Sequence, residues 1–446
     1  MKPLLIKFYL LYLFVRVRSE YKSYKDYKIF NIQNGDGLEE FVNTMRKYNT
    51  PLGNTVHYRS HRSNESSVKH EYLVHHDVDE GRVFFTGDKN TLQMLIAPEL
   101  VPIFEEIAAS AGLKTTLVVD DFSIQIEEEK LARLRHVNFS WNAYYDVDDI
   151  HGWLTDTSQK YPEWTKLVVG GKSYEGRKLL GLQIKTPSQK LKPVIFIESG
   201  IHAREWIAPA TTTYFINQLL TSSDPSIVAM REQFDWHIFP TVNPDGYHYT
   251  FTTDRMWRKT RSKSSNGCYG ADPNRNWDYH WMQSGTSNNP CDPQVYGGSR
   301  AFSEVETKTL SEYIAGLKNL TAYIDFHSYG PFMLIPFSDS KEHIDNYDDL
   351  VKIGKTSLDY GDKVKVGPRY REPATAAEFL YACSGASMDW VRFALGTRLT
   401  FVYELRGEQF KWPEKKIALQ GDEVTQMILG LLTEARNMGY FKDFPN

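Results

Sequence analysis

The segment Pro193-Val-Ile-Phe-Ile-Glu198-Ser-Gly-Ile-His202-Ala-Arg204-Glu205-Trp206 decides how this 446-residue chain folds. Residues 193–198 are short, branched and almost continuously apolar, the pattern of a strand covered on both faces. The same design recurs at Trp236–Pro240, at Ala322–Phe326, which runs into His327, and at Leu399–Tyr403, which runs into Glu404. Around these runs, Ala208–Leu220, Ser303–Leu317, Tyr347–Tyr360 and Asp422–Asn437 carry helical patterns. From Asn138 onward this predicts an α/β fold, a mixed and mostly parallel sheet with helices on both faces. In open sheets of this kind ligands bind at the carboxyl ends of the strands, so His202, His327 and Glu404 are expected at one crevice.

Upstream, Tyr27–Gln33 reads as a strand and Gly37–Lys47 as a helix. Glu71–Val74 and Arg82–Phe85 read as strands around Asp79-Glu80-Gly81, Pro98–Ala111 as a second helix and Thr115–Val119 as a last strand. Two helices against one antiparallel sheet make a small ferredoxin-like α+β module. The charged stretch Glu127–Arg135 has the composition of an exposed helix with ion pairs at helical spacing. Its place between two units also makes Arg133 and Arg135 candidate cleavage points for a trypsin-like protease. Leu4–Val15 is apolar, follows Lys2 and is too short to cross a bilayer, so residues 1–18 read as a secretory leader. Lys7 interrupts the run and no small-residue cleavage motif follows it. The division is a leader over 1–18, a module over 19–135 and a larger unit over 136–446.

Lys and Arg number 52 against 56 Asp and Glu, a net charge of −4 with no long run of either sign. That removes nucleic acids and anionic membranes as partners. No later stretch is apolar enough to hold the chain in a membrane. Three cysteines permit one disulfide with a thiol left over, or none.

His202 and Glu205 are spaced so that an imidazole and a carboxylate from one turn can reach a single cation. With His327 they form two histidines and one carboxylate, the set of a catalytic zinc site that keeps a position for water. Alone, a His-x-x-Glu pair is weak, because both residues are common near helix starts.

The motifs His202-Ala-Arg-Glu-Trp, Asp272-Pro-Asn-Arg-Asn-Trp277, His327-Ser-Tyr-Gly, Tyr381-Ala-Cys-Ser-Gly and Glu404-Leu-Arg, in this order, resemble the zinc metallocarboxypeptidases of the pancreatic and digestive A/B type. The resemblance covers essentially the whole chain. It implies a secreted, extracellular zymogen and a monomer, with residues 19–135 as an activation propeptide removed by a trypsin-like protease and residues 136–446 as the catalytic domain. It further implies one Zn2+ per chain on His202, Glu205 and His327, and peptide or protein C-termini as substrate.

The same resemblance implies roles for further residues. Glu404 matches the general base, and Arg258 the arginine that stabilises the oxyanion. Asn274 and Arg275 match the clamp on the terminal carboxylate of the substrate, the feature that restricts cleavage to chain ends. Arg204 matches an outer substrate contact, Asp272 the carboxylate that orients a ligating histidine, and Tyr381 a tyrosine that closes over substrate. Met388 matches the base of the pocket for the last side chain and Ser338 part of its wall. An uncharged base favours an apolar or aromatic C-terminal residue, since a buried Lys or Arg would lack a counter-ion. Cys268 and Cys291 match a disulfide that flanks the clamp, leaving Cys383 as the third cysteine. Ser328-Tyr329, Pro336-Phe337 and Arg406-Gly407 match positions of cis peptide bonds. Two alternatives differ in class or specificity: a non-catalytic binding or regulatory protein on the same fold, and a B-type enzyme for basic C-terminal residues.

Overall fold

A computed structural model describes residues 21–33, 83–87, 91–136 and 138–444, with scattered positions between 35 and 45. The leader expected over 1–18 and the strand expected at Glu71–Val74 lie outside the described residues.

The N-terminal unit is a four-stranded antiparallel sheet of β1 (Lys28–Gln33), β2 (Val83–Gly87), β3 (Thr91–Ile96) and β4 (Thr115–Val119), in the order β2-β3-β1-β4. Side chains alternate across it. Phe30, Ile32, Met94 and Ile96 pack against the helix Val101–Ser110 and against Phe41 and Met45. Ile29 and Leu95 face the other way, toward the larger unit. The hairpin corrects the sequence reading: β2 pairs with β3, a strand that the reading had not marked. A helix Phe122–Leu134 follows, started by Asp121, whose carboxylate accepts from the Ser123 amide at 2.9 Å.

The larger unit holds eight strands: β5 (Thr165–Lys172), β6 (Lys178–Ile184), β7 (Val194–Ser199), β8 (Asp235–Phe239), β9 (Leu320–Ser328), β10 (Phe332–Ile335), β11 (Arg371–Thr375) and β12 (Leu399–Leu405). Their order is β11-β10-β12-β9-β7-β8-β6-β5, and the central four, β12 to β8, run parallel. Antiparallel β5 and β6 close one edge. One face packs against helices Val147–Lys160, Ile207–Thr221, Tyr347–Asp362 and Ile417–Asn437, the other against Val305–Ala315 and Ser387–Ala394. At Gly171, with φ +145°, an added Cβ would lie 2.0 Å from the Thr309 hydroxyl oxygen, so the edge strand meets its covering helix through a glycine.

Alternation along β9 sets up the site. Ala322, Ile324 and Phe326 enter the large core, while Tyr323, Asp325 and His327 share the opposite face. Register then places Glu404 of β12 directly beside His327, and Glu198 of β7 directly beside Asp325.

Candidate active site

A crevice opens at the carboxyl ends of β7, β9 and β12. It is lined by His202, Glu205, Arg258, Asn274, Arg275, His327, Ser338, Tyr381, Met388 and Glu404, residues expected there from seven separate stretches of the sequence.

At its floor His202 and His327 point their Nδ1 atoms at one another, 3.0 Å apart. The Glu205 carboxylate joins them, 2.8 Å from His202 Nδ1 and 3.2 Å from His327 Nδ1. The Ser328 amide donates to its second oxygen. Behind the imidazoles, His202 Nε2 faces Asp272 Oδ1 at 3.2 Å and His327 Nε2 faces Asp325 Oδ2 at 2.7 Å. With Nε2–H donated to a carboxylate on each side, both Nδ1 lone pairs and one carboxylate converge on a single point, all within 4.8 Å. Three acceptors facing one another can hold a cation between them, and two imidazoles with one carboxylate are the donor set of zinc.

Burial alone would raise Glu205, but His202 and His327 outweigh it and hold the carboxyl below its usual range. Burial works against the His327 cation, yet Asp325 and Glu205 raise its pKa well above the ordinary value. A proton and a metal ion therefore compete for the same place.

Asp272 caps the 3-10 turn Pro273–Arg275, accepting from the Asn274 amide at 2.9 Å. Its other oxygen accepts from Arg258 Nη2 at 2.8 Å, so one buried carboxylate orients both a histidine and the arginine. Arg258 and Arg275 outweigh the opposing effect of burial and hold Asp272 well below the usual carboxylate range. Asn274 accepts from the Ser387 amide at 2.9 Å. Arg275 donates to its neighbour's carbonyl, to Gly285 O and, at 2.9 Å, to the Tyr381 hydroxyl. The disulfide Cys268–Cys291 encloses this turn.

Burial pushes the Glu404 carboxyl up to about 8; His327 and Arg258 oppose the shift, and Glu205 and Asp325 add to it. Arg406, two residues on, is engaged elsewhere, in a bidentate pair with Glu423.

The pocket beyond the clamp is walled by Leu334, Ala376, Leu380 and Val402, with Met388 only 2% exposed. Asp389 follows Met388 but turns away, accepting from the Ser338 amide at 2.9 Å. Cys383 is a buried free thiol in the same wall, its pKa raised by burial against the opposing effect of Arg275.

Some expectations need correction. Arg204 does not line the crevice: it is 1% exposed, bonded to Gln294 at 3.0 Å and covered by the Phe410 ring at 4.0 Å. Ser384 and Gly385, on the loop that carries Tyr381, are anchored to the clamp segment. Ser384 Oγ bonds to Ser284, and a Cβ at Gly385 would lie 2.4 Å from the Arg275 carbonyl. The cis bonds among the described residues are Ser328–Tyr329 and Pro336–Phe337; Arg406–Gly407 is not one of them. Asp325 was missed, although its spacing from His327 places both on one face of a strand.

The N-terminal unit seals part of the crevice rim. Tyr24, Ile29, Leu95, Phe122 and Ile126 pack against Met256, Tyr329 and Phe410, and Phe410 also lines the crevice. Within this interface Glu129 forms a fully buried pair with Arg255, at 2.7 and 3.1 Å, and Arg255 also donates to the carbonyls of Arg204 and Phe410.

The zinc carboxypeptidase family, peptidase M14, matches residues 150–427. Zinc carboxypeptidase A 1 of Anopheles gambiae is 38% identical over 372 residues, 80% of this chain and 83% of that protein. A zinc carboxypeptidase of Simulium vittatum is 45% identical over 309 residues, 67% of this chain and 98% of that protein. The crystal structure of carboxypeptidase A from Helicoverpa armigera shares the fold, with a TM-score of 0.76 over 93% of this chain and 99% of that one, at 24% identity.

Proposed function

The chain belongs to the zinc carboxypeptidases of family M14, and on that premise we propose that it is a secreted zymogen whose mature enzyme removes apolar or aromatic C-terminal residues from peptides. The observation that carries this is the convergence of three acceptors on one point, beside a buried arginine clamp and above an apolar pocket.

His202, Glu205 and His327 would hold one zinc ion, which when bound polarises the scissile carbonyl and acidifies water. Arg275 and Asn274 bind the terminal carboxylate of the substrate, which an internal peptide bond cannot offer, so cleavage is confined to chain ends. Tyr381, whose hydroxyl already touches Arg275, closes over that end and excludes water. Glu404 takes the proton of the attacking water and delivers it to the departing amine. Arg258, held by Asp272, stabilises the negative charge that develops on the former carbonyl oxygen. Met388 and its apolar neighbours receive the last side chain. Among the described residues no acid lines that end of the pocket, so Lys or Arg would be desolvated without a partner.

Residues 19–135 act as the propeptide, with the Glu129–Arg255 pair pinning it over the rim. Cleavage falls near Arg133 or Arg135 by a trypsin-like protease.

The test is to treat the full chain with trypsin and assay peptides ending in Phe, Leu and Arg, with and without a zinc chelator. Chelator-sensitive cleavage of Phe and Leu ends, appearing only after processing, is expected. No turnover of any peptide after confirmed cleavage would leave a non-catalytic binding protein, and a preference for Arg would overturn the assignment to Met388.

A further inference from the structure

Each histidine of the cation cluster rests on its own carboxylate, but the two carboxylates differ in kind. Asp272 sits on a loop and divides its oxygens between His202, Arg258 and the Asn274 amide. Asp325 sits in the middle of β9, is 0% exposed and makes a single side-chain hydrogen bond among the described residues, to His327 Nε2 at 2.7 Å. Its other oxygen has no hydrogen-bond partner among the described residues. Glu198, another fully buried acid, stands beside it in register, bonded to the Tyr323 hydroxyl at 2.6 Å. A carboxylate placed in a core next to a second acid is strongly disfavoured unless one contact repays it. Among the described residues the only such contact is the imidazole.

We infer that Asp325 is a positioning residue for the metal centre: it fixes the Nε2–H tautomer of His327 and its ring orientation, so that the Nδ1 lone pair faces the ion. Strand geometry makes this possible. Residues two apart on a strand share a face, so Asp325 lies behind His327 on the same strand face. The pair is therefore set by the strand itself, whereas His202 and Asp272 must be brought together by a loop that also carries the clamp. Carboxylates behind ligating histidines raise the basicity of the ligand, and their loss weakens metal binding about 10- to 100-fold.

This inference rests on His202, Glu205 and His327 being the zinc site, and the experiment separates the two. Full-length chain is prepared as wild type, Asp325→Ala, Asp325→Asn and Tyr323→Phe, and zinc affinity is measured by chelator competition. The visible spectrum of the cobalt-substituted protein and the stability of the metal-free form are recorded alongside. Asp325→Ala is expected to bind zinc about 10- to 100-fold more weakly, with a changed cobalt spectrum. Asp325→Asn, which keeps a neutral acceptor of the same size, should fall between. Tyr323→Phe removes a hydrogen bond from the same strand face without touching His327, and should keep wild-type zinc affinity. If Asp325→Ala is folded and binds zinc as the wild type does, the inference fails; if Ala does not fold, unchanged binding by Asp325→Asn has the same force. Equal weakening by Tyr323→Phe would show general damage to β9 and also overturn it. A wild-type chain that binds no zinc would instead overturn the metal site itself.

Discussion

Replacing Glu404 with glutamine exchanges one oxygen for an NH2 group and leaves the side-chain volume unchanged, so it separates proton transfer from packing. Turnover should fall by about 100-fold or more, while zinc content by metal analysis stays at the wild-type level. Asp389 gives a test by pH away from the metal. Burial pushes its carboxyl up to about 7, the Ser338 amide opposing and Asp339 adding. In the unfolded chain the same group titrates near 3.9, at an ordinary aspartate pKa, so between about 4 and about 7 the folded protein binds more protons than the unfolded one. Its contribution to stability is therefore full at low pH and declines as pH rises through that window. Asp389→Asn should flatten that part of the decline in urea titrations from pH 4 to 7; an unchanged slope would remove Asp389 as its source. Most residues of the site were legible because their types are chemically specialised and their motifs short. The burial of Arg204 was not legible, because a motif specifies neighbours in sequence and cannot reveal that Phe410, far along the chain, covers the guanidinium.

At the scale of elements, the helix Phe122–Leu134 is the piece whose behaviour follows most directly from its surroundings. Glu127 and Lys130 pair on its outer side, and Arg133 in its last turn is bonded to Asp149. Glu129 turns inward to Arg255, and removing one partner of such a buried pair costs about 3 to 5 kcal/mol because the other charge remains without compensation. Glu129→Ala should therefore speed the first tryptic cut near Arg133 and Arg135, seen as a shorter half-life of the full-length band. An unchanged half-life would mean that the helix opens independently of this pair. Sequence showed the run Glu127-Glu128-Glu129 as uniform charge, because a strand or helix pattern cannot tell which member of a run meets a partner 126 positions away. The central strands were legible from their continuous apolar runs. Edge strand β5 and its neighbour β6 were not marked: β5 is interrupted by glycines and half exposed, and its register shifts near Gly171. β3 escaped for a different reason, since TLQMLI serves a helix as well as a strand.

For the molecule as a whole, the disulfide Cys268–Cys291 ties the clamp turn to the body of the fold, across a separation of 23 residues. Replacing both cysteines with serine should lower unfolding free energy by about 3 kcal/mol, measured by urea titration, since the reduced unfolded chain regains the entropy of that loop. Loss of less than about 1 kcal/mol would mean that the hydrogen bonds of Arg275 and Asn274 hold the turn without it. That the ends of separate strands meet at one crevice was visible in the motifs. How the units meet was not, because the interface is built from single residues of many elements. That interface has a consequence for activation. The N-terminal unit is joined to the rest by packed side chains, by the Glu129–Arg255 pair and by one backbone connection. Cutting that connection near Arg135 breaks a peptide bond and removes none of the other contacts. What falls is the effective concentration of the unit at the crevice, from the high local value that a tether enforces to that of the bulk solution. Activity should then lag behind cleavage, and dilution should raise the fraction of cleaved enzyme that is active, because the released fragment is a ligand that the enzyme must lose.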